Sequence, residues 1–269
     1  NQFLILPMGG TGQRFIKAGY KTYKPFLKVS KKYRIVDNII NNFANSKTRV
    51  IILGNEQKFQ FIRSQLNKNI IFIKIKNHRF GPLHSIFLAS TKLKSIIKNN
   101  PFFIVYSDIN WNWEFEKVKK FIKKKDAVVF THKGFHPDLE IDTKSDFCLL
   151  DKKGYIKKTS AKKLISKDYK KSFLAAGCYY FKNYEYLGEY FRRNKNFLKN
   201  KKKEYYLIQF INFLIKNKLK INHYNLSNFV HLGIPSQYEN FLHWRKVIVN
   251  DFNKSLALNS PNVMLMAGK

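Results

Sequence analysis

The sequence predicts an α/β fold in which a mostly parallel central sheet is flanked by helices, with a small antiparallel elaboration. Three observations predict it. Short apolar runs, Phe3 to Leu6, Val50 to Leu53, Ile70 to Ile75, Phe102 to Tyr106 and Ala127 to Thr131, have the length of buried strands. Segments with helical spacing, such as Ile35, Ile39, Ile40 and Phe43, lie between them, and this alternation is the pattern of a parallel sheet wrapped by helices. A length of 269 residues with 44% apolar content suits one α/β domain with a substantial core.

The composition narrows the function classes. No apolar run approaches the length of a membrane span, and the Phe3 to Met8 run lacks the cationic start of a secretory leader. The chain begins at Asn1, so residues upstream of it are expected. Cys148 and Cys178 are the two cysteines, which gives neither a disulfide framework nor zinc spacing and points to a reducing, cytoplasmic setting. The formal charge of +34 raises the question of nucleic acid. Lysine outnumbers arginine severalfold and is scattered along the whole chain, unlike a footprint of clustered arginines and aromatics, so no specific nucleic acid is expected. The excess should attract anionic substrates and, weakly, anionic lipid head groups.

The elements follow in order. After the first strand, Gly9, Gly10, Thr11 and Gly12 form a turn whose backbone N–H groups can approach an anion closely. Arg14 and Lys24 add charge beside it, the arginine as a fork and the lysine as a point. The turn is not a P-loop, for no Gly-Lys-Ser/Thr ends it, and Phe15 stands where a dinucleotide fingerprint has its third glycine. A helix is expected over Ile35 to Phe43 and another over Glu56 to Leu66. His78 to Ser85 opens a helix running to about Ile97, with Pro82 at its first position. Asp108, directly after the Phe102 to Tyr106 strand, is placed either to hold a hard cation with substrate phosphates or to cap the next turn. Trp111 and Trp113 either line a sugar or cover the edge of the core, and core packing is the expectation. His78, His84, His132, His223 and His243 have no metal-ligand spacing, and His136 before Pro137 is expected in a turn. Leu139 to Tyr155 should form short antiparallel strands turning at Asp151 to Gly154. Phe173 to Phe181 is a strong strand, and Glu204 starts an amphipathic helix with Leu207, Phe210, Ile211, Leu214 and Ile215 on its apolar face. A last helix is expected over Gln237 to Val249.

The string P-M-G-G-T-G-Q-R-F followed by Lys24-Pro25-Phe26-Leu27 resembles the signature of the sugar nucleotidyltransferases, the NDP-sugar pyrophosphorylase family. It looks most like the bacterial branch found in capsule and lipopolysaccharide gene sets, through Ala18-Gly19-Tyr20 before Lys24-Pro25 and through Gly134-Phe135-His136-Pro137. Further segments match in register: GPLHS, SDIN, AAGCYYF, EYY and HLGIP, so the resemblance covers nearly the whole chain. It implies a Rossmann-like domain over residues 1–255. The 256–269 tail, ending Met264-Leu265-Met266-Ala267-Gly268-Lys269, echoes Phe3 to Gly10 and suggests the first strand of a second copy.

The resemblance also implies roles. Gly9, Gly10, Thr11 and Gly12 would hold the nucleotide phosphates with Arg14 and Lys24. Backbone groups at Gly81, Leu83 and Ser85 would read the nucleobase. Asp108 would bind Mg²⁺ bridging the phosphates, and Asn110, Lys162, Gly177 and Glu204 would contact the acceptor. Two positions depart from the family. Ala161 stands where a glutamate usually touches sugar hydroxyls beside Lys162, and His231 replaces the second metal-binding aspartate. Neutral imidazole suits softer metals than Mg²⁺, so His231 is expected to support phosphates, to act through a water, or to have no role. The implied reaction joins an NTP to a sugar 1-phosphate or similar phosphorylated acceptor and releases pyrophosphate. The alternatives are a non-catalytic relative that binds nucleotide or sugar phosphate, and a basic nucleic-acid-binding protein. The base, the acceptor and the oligomeric state are not legible.

Overall fold

The computed structural model describes residues 2–44, 47–67, 69–133, 145–168, 171–195 and 204–251. The Gly134 to Pro137 string and the 256–269 tail lie outside them. A main sheet of nine strands has at its centre β1 (Gln2–Met8), with β2 (Thr48–Asn55) and β3 (Ile71–Ile75) following on one side, all parallel. On the other side β1 pairs in parallel with β4 (Phe102–Val105). The predicted mostly parallel sheet is present, and its one reversed member on the main path is β9 (Phe173–Phe181), which runs antiparallel to both β4 and β6 (Ala127–His132). β10 (Ile221–Asn225) closes that edge parallel to β6.

Two antiparallel additions complete the architecture. The hairpin of β7 (Phe147–Leu150) and β8 (Ile156–Ser160) turns at 151–154 as expected and attaches to β9. Asp151 makes that turn, its carboxylate accepting the N–H groups of Lys153 and Tyr155. A separate two-stranded ribbon joins β5 (Ile109–Asn112) to β11 (Asn228–His231), with Ile109 opposite His231. Strands β5, β8, β10 and β11 are additions to the sequence expectation. Each is short and mixed in polarity; β5, β10 and β11 are held by partners distant in sequence and β8 by its hairpin partner β7, rather than by their own pattern.

The core lies on both faces of the sheet. Along β1, Phe3 and Ile5 belong to one apolar cluster and Leu4, Leu6 and Met8 to the other, the alternation that a pleated strand imposes. Helices Ile35–Asn41 and Phe115–Ile122 pack on the second face; Pro82–Leu88, Ser90–Ile97, Glu185–Arg193 and Leu207–Lys216 cover the first. The expected helix over 82–97 is thus two. The break falls at Ala89, the residue between the two helices, and just beyond it the Tyr184 hydroxyl donates to the Ser90 carbonyl at 3.0 Å, tying the second helix to the Glu185–Arg193 segment. The helix expected over 56–66 is confined to Phe59–Ser64, and the last helix extends over Pro235–Asp251.

Trp111 is fully buried and Trp113 stacks edge-on against it at 5.2 Å, so this pair packs in the core as expected. At the middle of the same face Phe103 meets the rings of Phe43, Trp113, Phe115, Phe130 and Tyr180, all with centroids within 6.1 Å. Such pairs add stabilisation beyond the area they bury. Phe103→Ala should therefore lower the unfolding free energy by about 3–5 kcal/mol in urea titrations, and a change under about 1 kcal/mol would show that this ring cluster does not hold the sheet to its helices.

Candidate active site

The carboxyl ends of β1, β2, β3 and β4 open on one side of the sheet, the side on which open α/β sheets bind ligands. The glycine turn follows β1 there. Gly12 has φ of 71°, in the left-handed region that suits glycine, and starts the short helix Gln13–Lys17. Gly9 is glycine for want of space: a Cβ would lie 2.6 Å from the Ile75 side chain, 2.7 Å from Ser85 Oγ and 2.9 Å from His78 Nε2. The turn is thereby drawn against the end of β3 and the start of the Pro82–Leu88 helix. Asn55 at the end of β2 fixes it further, its Nδ2 donating to the Gly9 carbonyl at 3.3 Å and to Asn77 Oδ1 at 2.6 Å.

Tyr23 couples the turn to the catalytic candidates. Its hydroxyl lies 2.8 Å from the Met8 carbonyl and 2.9 Å from that of Gly10. Next in the chain is Lys24, on a single 3₁₀ turn, Lys24–Phe26, anchored by buried Pro25 and Phe26. The Lys24 ammonium reaches across to Asp108 Oδ2 at 2.9 Å, with both side chains about one-fifth exposed. Glycine turn, Lys24 and Asp108 therefore share one surface. Arg14 is exposed on its helix and forms no ion pair among the described residues. A shallow cleft beside the turn is lined by Thr11, Gly12, Lys21, Tyr23, Lys24 and Lys58. Lys21 and Lys58 have no carboxylate beside them in that lining, and only the three-dimensional arrangement reveals them.

The β5–β11 ribbon carries a second segment to Asp108. Leu232 N–H donates to the Asp108 carbonyl at 2.7 Å, and the 231–233 turn lies so close that a Cβ on Gly233 would be 3.1 Å from His231 Nε2 and 3.5 Å from Asp108 Oδ2. Burial pushes the Asp108 carboxyl up, but the Lys24 charge, then His231, the hydrogen bond from Lys24 and the charge of Lys162 together outweigh it and bring the group down to about 2. Its Oδ1 is buried without a hydrogen-bond partner among the described residues. That orphan oxygen fits a hard cation. No group of three or more His, Cys, Asp or Glu able to hold a metal occurs among the described residues, so a cation there would take its other ligands from substrate oxygens and water, as Mg²⁺ habitually does.

On the far side of Asp108 lies Lys162, whose backbone has φ of 60°. Its ammonium sits 4.3 Å from the centre of the Tyr206 ring and 3.8 Å from Asp146 Oδ1, and the Tyr206 hydroxyl donates to Glu204. Gly177 has φ of 76° and presses on Tyr106, whose ring would be 2.9 Å from a Cβ there. Asn110 is buried, and its carboxamide oxygen accepts from Asn38, so it ties the ribbon to the Ile35–Asn41 helix.

The segment expected to read a base has its own geometry. Gly81, with φ of 81°, is required by the backbone of Tyr205, whose carbonyl oxygen would lie 2.6 Å from a Cβ. Leu83 is buried and its N–H donates to that same carbonyl. Phe80 N–H donates to His78 Nδ1, which puts the ring proton on Nε2, from where it donates to Ser85 Oγ at 2.9 Å. Burial first and His84 second lower His78 to about 4, so the ring is neutral at physiological pH.

Because the Asp108 carboxyl is lowered, its contribution to stability is present above the ordinary value of 3.8 and is lost as pH falls through about 2. In Lys24→Met the strongest opposing charge is gone while burial remains, so the acid-side loss should begin at least about one pH unit higher, measured as unfolding free energy against pH. Coincident acid profiles for the two proteins would mean that Lys24 does not hold this carboxylate.

A family profile described as nucleotidyl transferase matches residues 4–204. A search of curated sequences returned no match. Among solved structures, a nucleoside-diphosphate-sugar pyrophosphorylase from Vibrio cholerae superposes with a TM-score of 0.69 at 18% identity, covering 89% of this chain and 99% of its own. An inositol-1-phosphate CTP transferase from T. maritima gives 0.65 at 13% identity over 99% and 94%. HddC from Yersinia pseudotuberculosis, complexed with GMP-PN, gives 0.63 at 15% identity over 88% and 96%. At these identities the structural likeness speaks for the fold, which is the Rossmann-like one expected. The sequence profile, spanning the glycine turn, Lys24, Asp108 and Lys162, goes further, and by it the chain belongs to the nucleotidyl transferase family.

Proposed function

We propose that the protein joins an NTP to a phosphorylated small molecule, a sugar 1-phosphate or a close analogue, to give an NDP-activated product and pyrophosphate. The observation that carries this reading is the contact of Lys24 with Asp108 beside a glycine-floored turn, where the charge of Lys162 also acts on the carboxylate. The acceptor phosphate oxygen attacks the α-phosphorus, a new P–O bond forms, and the bond to the β-phosphate oxygen breaks to release pyrophosphate. The attacking oxygen is already anionic, so no general base is needed. Rate acceleration then rests on in-line positioning and on neutralising charge.

Arg14 and Lys24 neutralise the triphosphate, with the N–H groups of Gly9, Gly10, Thr11 and Gly12 along its backbone. Gly81, Leu83 and Ser85 border the base, and Lys162, Gly177 and Glu204 the acceptor. Asp108 Oδ1 would hold Mg²⁺, with His231 beside the same phosphates. When bound, Mg²⁺ offsets the negative charge that builds on the phosphate oxygens. In the free protein Lys24 covers Asp108 Oδ2, so binding of a magnesium-bound triphosphate requires the ammonium to exchange a carboxylate for a phosphate. Supply of products to surface polysaccharide rests on the likeness of the opening segment and of GFHP to the capsule branch. NTP as substrate and two buried free thiols agree with a cytoplasmic setting.

Ala161 and His231 favour a second reading, in which the cleft binds nucleotide or sugar phosphate without turning it over. Pyrophosphate release, assayed with each of four NTPs against a panel of phosphorylated sugars and polyols, separates the two. Lys24→Ala and Asp108→Ala should each cut turnover at least about a hundredfold while the far-UV spectrum and cooperative melting persist. Retained turnover in both variants overturns the mechanism; no release from the unaltered protein with any pairing, together with ligand-induced stabilisation, favours the binding role.

A further inference from the structure

The carboxylate absent at position 161 has a counterpart elsewhere in the chain. Ala161 is partly buried and packs against the apolar core cluster on the first face, and it brings no carboxylate to Lys162. Asp146, which immediately precedes β7, is buried, and a single oxygen of it, Oδ1, takes two contacts from Lys162: the backbone N–H at 3.3 Å and the ammonium at 3.8 Å. The Asp146 carbonyl accepts Ala175 N–H at 2.8 Å, which fixes the residue to the β7–β9 junction. Lys162 is one of three non-glycine residues with positive φ among the described residues. A left-handed lysine persists where its surroundings over-determine it, and such residues concentrate at binding sites. The other side of its ammonium faces the Tyr206 ring at 4.3 Å.

We propose that Asp146 is a positioning residue of the acceptor subsite: it curls Lys162 into the left-handed conformation and, with the Tyr206 ring opposite, aims the ammonium at a phosphate monoester. The inference rests on the acceptor role of Lys162 stated above. It assigns the carboxylate partner of that lysine to the residue before β7, across the β7–β8 hairpin, in place of its chain neighbour. It also explains how Ala161 is tolerated. The lysine is held by a buried acid that no ligand has to contact, and position 161 is released to the core.

The charge and the backbone contact can be separated. Asp146→Asn keeps an oxygen for Lys162 N–H and removes the ion pair. Binding of α-D-glucose 1-phosphate and of inorganic phosphate by the full chain is measured by calorimetry at fixed ionic strength, with magnesium pyrophosphate as the probe of the nucleotide side. Asp146→Asn should weaken both monophosphate ligands about tenfold and leave pyrophosphate within about twofold, and Asp146→Asn combined with Lys162→Ala should bind no more weakly than Lys162→Ala alone. A merely structural role would weaken pyrophosphate as well, and additive losses in the double variant would mean that Asp146 does not act through Lys162. Either result overturns the inference, as does wild-type monophosphate binding by Asp146→Asn. If Asp146→Asn does not fold, Asp146→Ser carries the same comparison, since its hydroxyl still offers an acceptor. Failure of the unaltered protein to bind either monophosphate, or undiminished binding by Lys162→Ala, removes the underlying acceptor reading as well, which distinguishes that failure from loss of the Asp146 inference alone.

Discussion

The contact between Lys24 and Asp108, residues 84 positions apart, sets the arrangement of everything around it. A partly buried ion pair survives only when both partners are delivered accurately, because either one alone would leave a charge without compensation. Delivery of Lys24 depends on Tyr23, whose hydroxyl staples the segment to the carbonyls of Met8 and Gly10. Delivery of Asp108 depends on the parallel pairing of β1 with β4, which brings both strand ends to the same edge. The ribbon of β5 and β11 then clamps the aspartate from beyond through Leu232. The pair also describes a resting state. One carboxylate oxygen is occupied by the cation nearest to it, and the other has no hydrogen-bond partner among the described residues.

How much of this the sequence carries follows from which interactions are local. Strands buried on both faces announce themselves, since continuous apolar runs such as those of β1, β2 and β4 have no other stable placement. β5 and β10, reading INWN and INHYN, have no such signature, and they are strands because β11 and β6 offer them a ladder. The reversed direction of β9 between two strands of opposite sense is equally silent, because an apolar run does not encode its direction. The same division holds in the cleft. Arg14, Lys24 and Asp108 are legible from residues adjoining a glycine turn or a strand end. Asp146 is not, since its meaning arises only when the β7–β9 junction sets it beneath Lys162. Asn110 is equally silent in the sequence: two residues past Asp108, it is tied by Asn38 to the Ile35–Asn41 helix.

The charge balance shapes how the chain is held together. With 51 lysines and arginines against 17 acids, few bases have a carboxylate to pair with. Among the described residues several of the ion pairs are exposed contacts three or four residues apart, worth a few tenths of a kcal/mol each, as between Glu114 and Lys117 or Glu116 and Lys119. Aromatic packing takes over that role. Twenty-five phenylalanines and fifteen tyrosines supply edge-to-face contacts on both sides of the sheet, including the triangle of Phe15, Tyr20 and Tyr238 that fastens the glycine-turn helix to the last helix. Rings carry no net charge and their faces attract cations, so a core built from them tolerates a cationic surface that would strain a structure reliant on salt bridges.

That surface and the cleft are parts of one electrostatic arrangement. Self-repulsion among unpaired cations opposes compactness, and an anion bound among them relieves it. Lys21, Lys24 and Lys58 crowd the cleft beside the glycine turn, where the lining residues include no acid. Around Asp108 the balance is finer, with Lys24, His231 and Lys162 all acting on a single carboxylate. Under the proposed function, a polyphosphate entering between these two regions would meet the first set of cations and draw Lys24, the residue common to both, away from Asp108. Lys24 is thus the residue through which the ion pair of the free fold and ligand binding would be coupled, because it cannot serve the carboxylate and a phosphate at once.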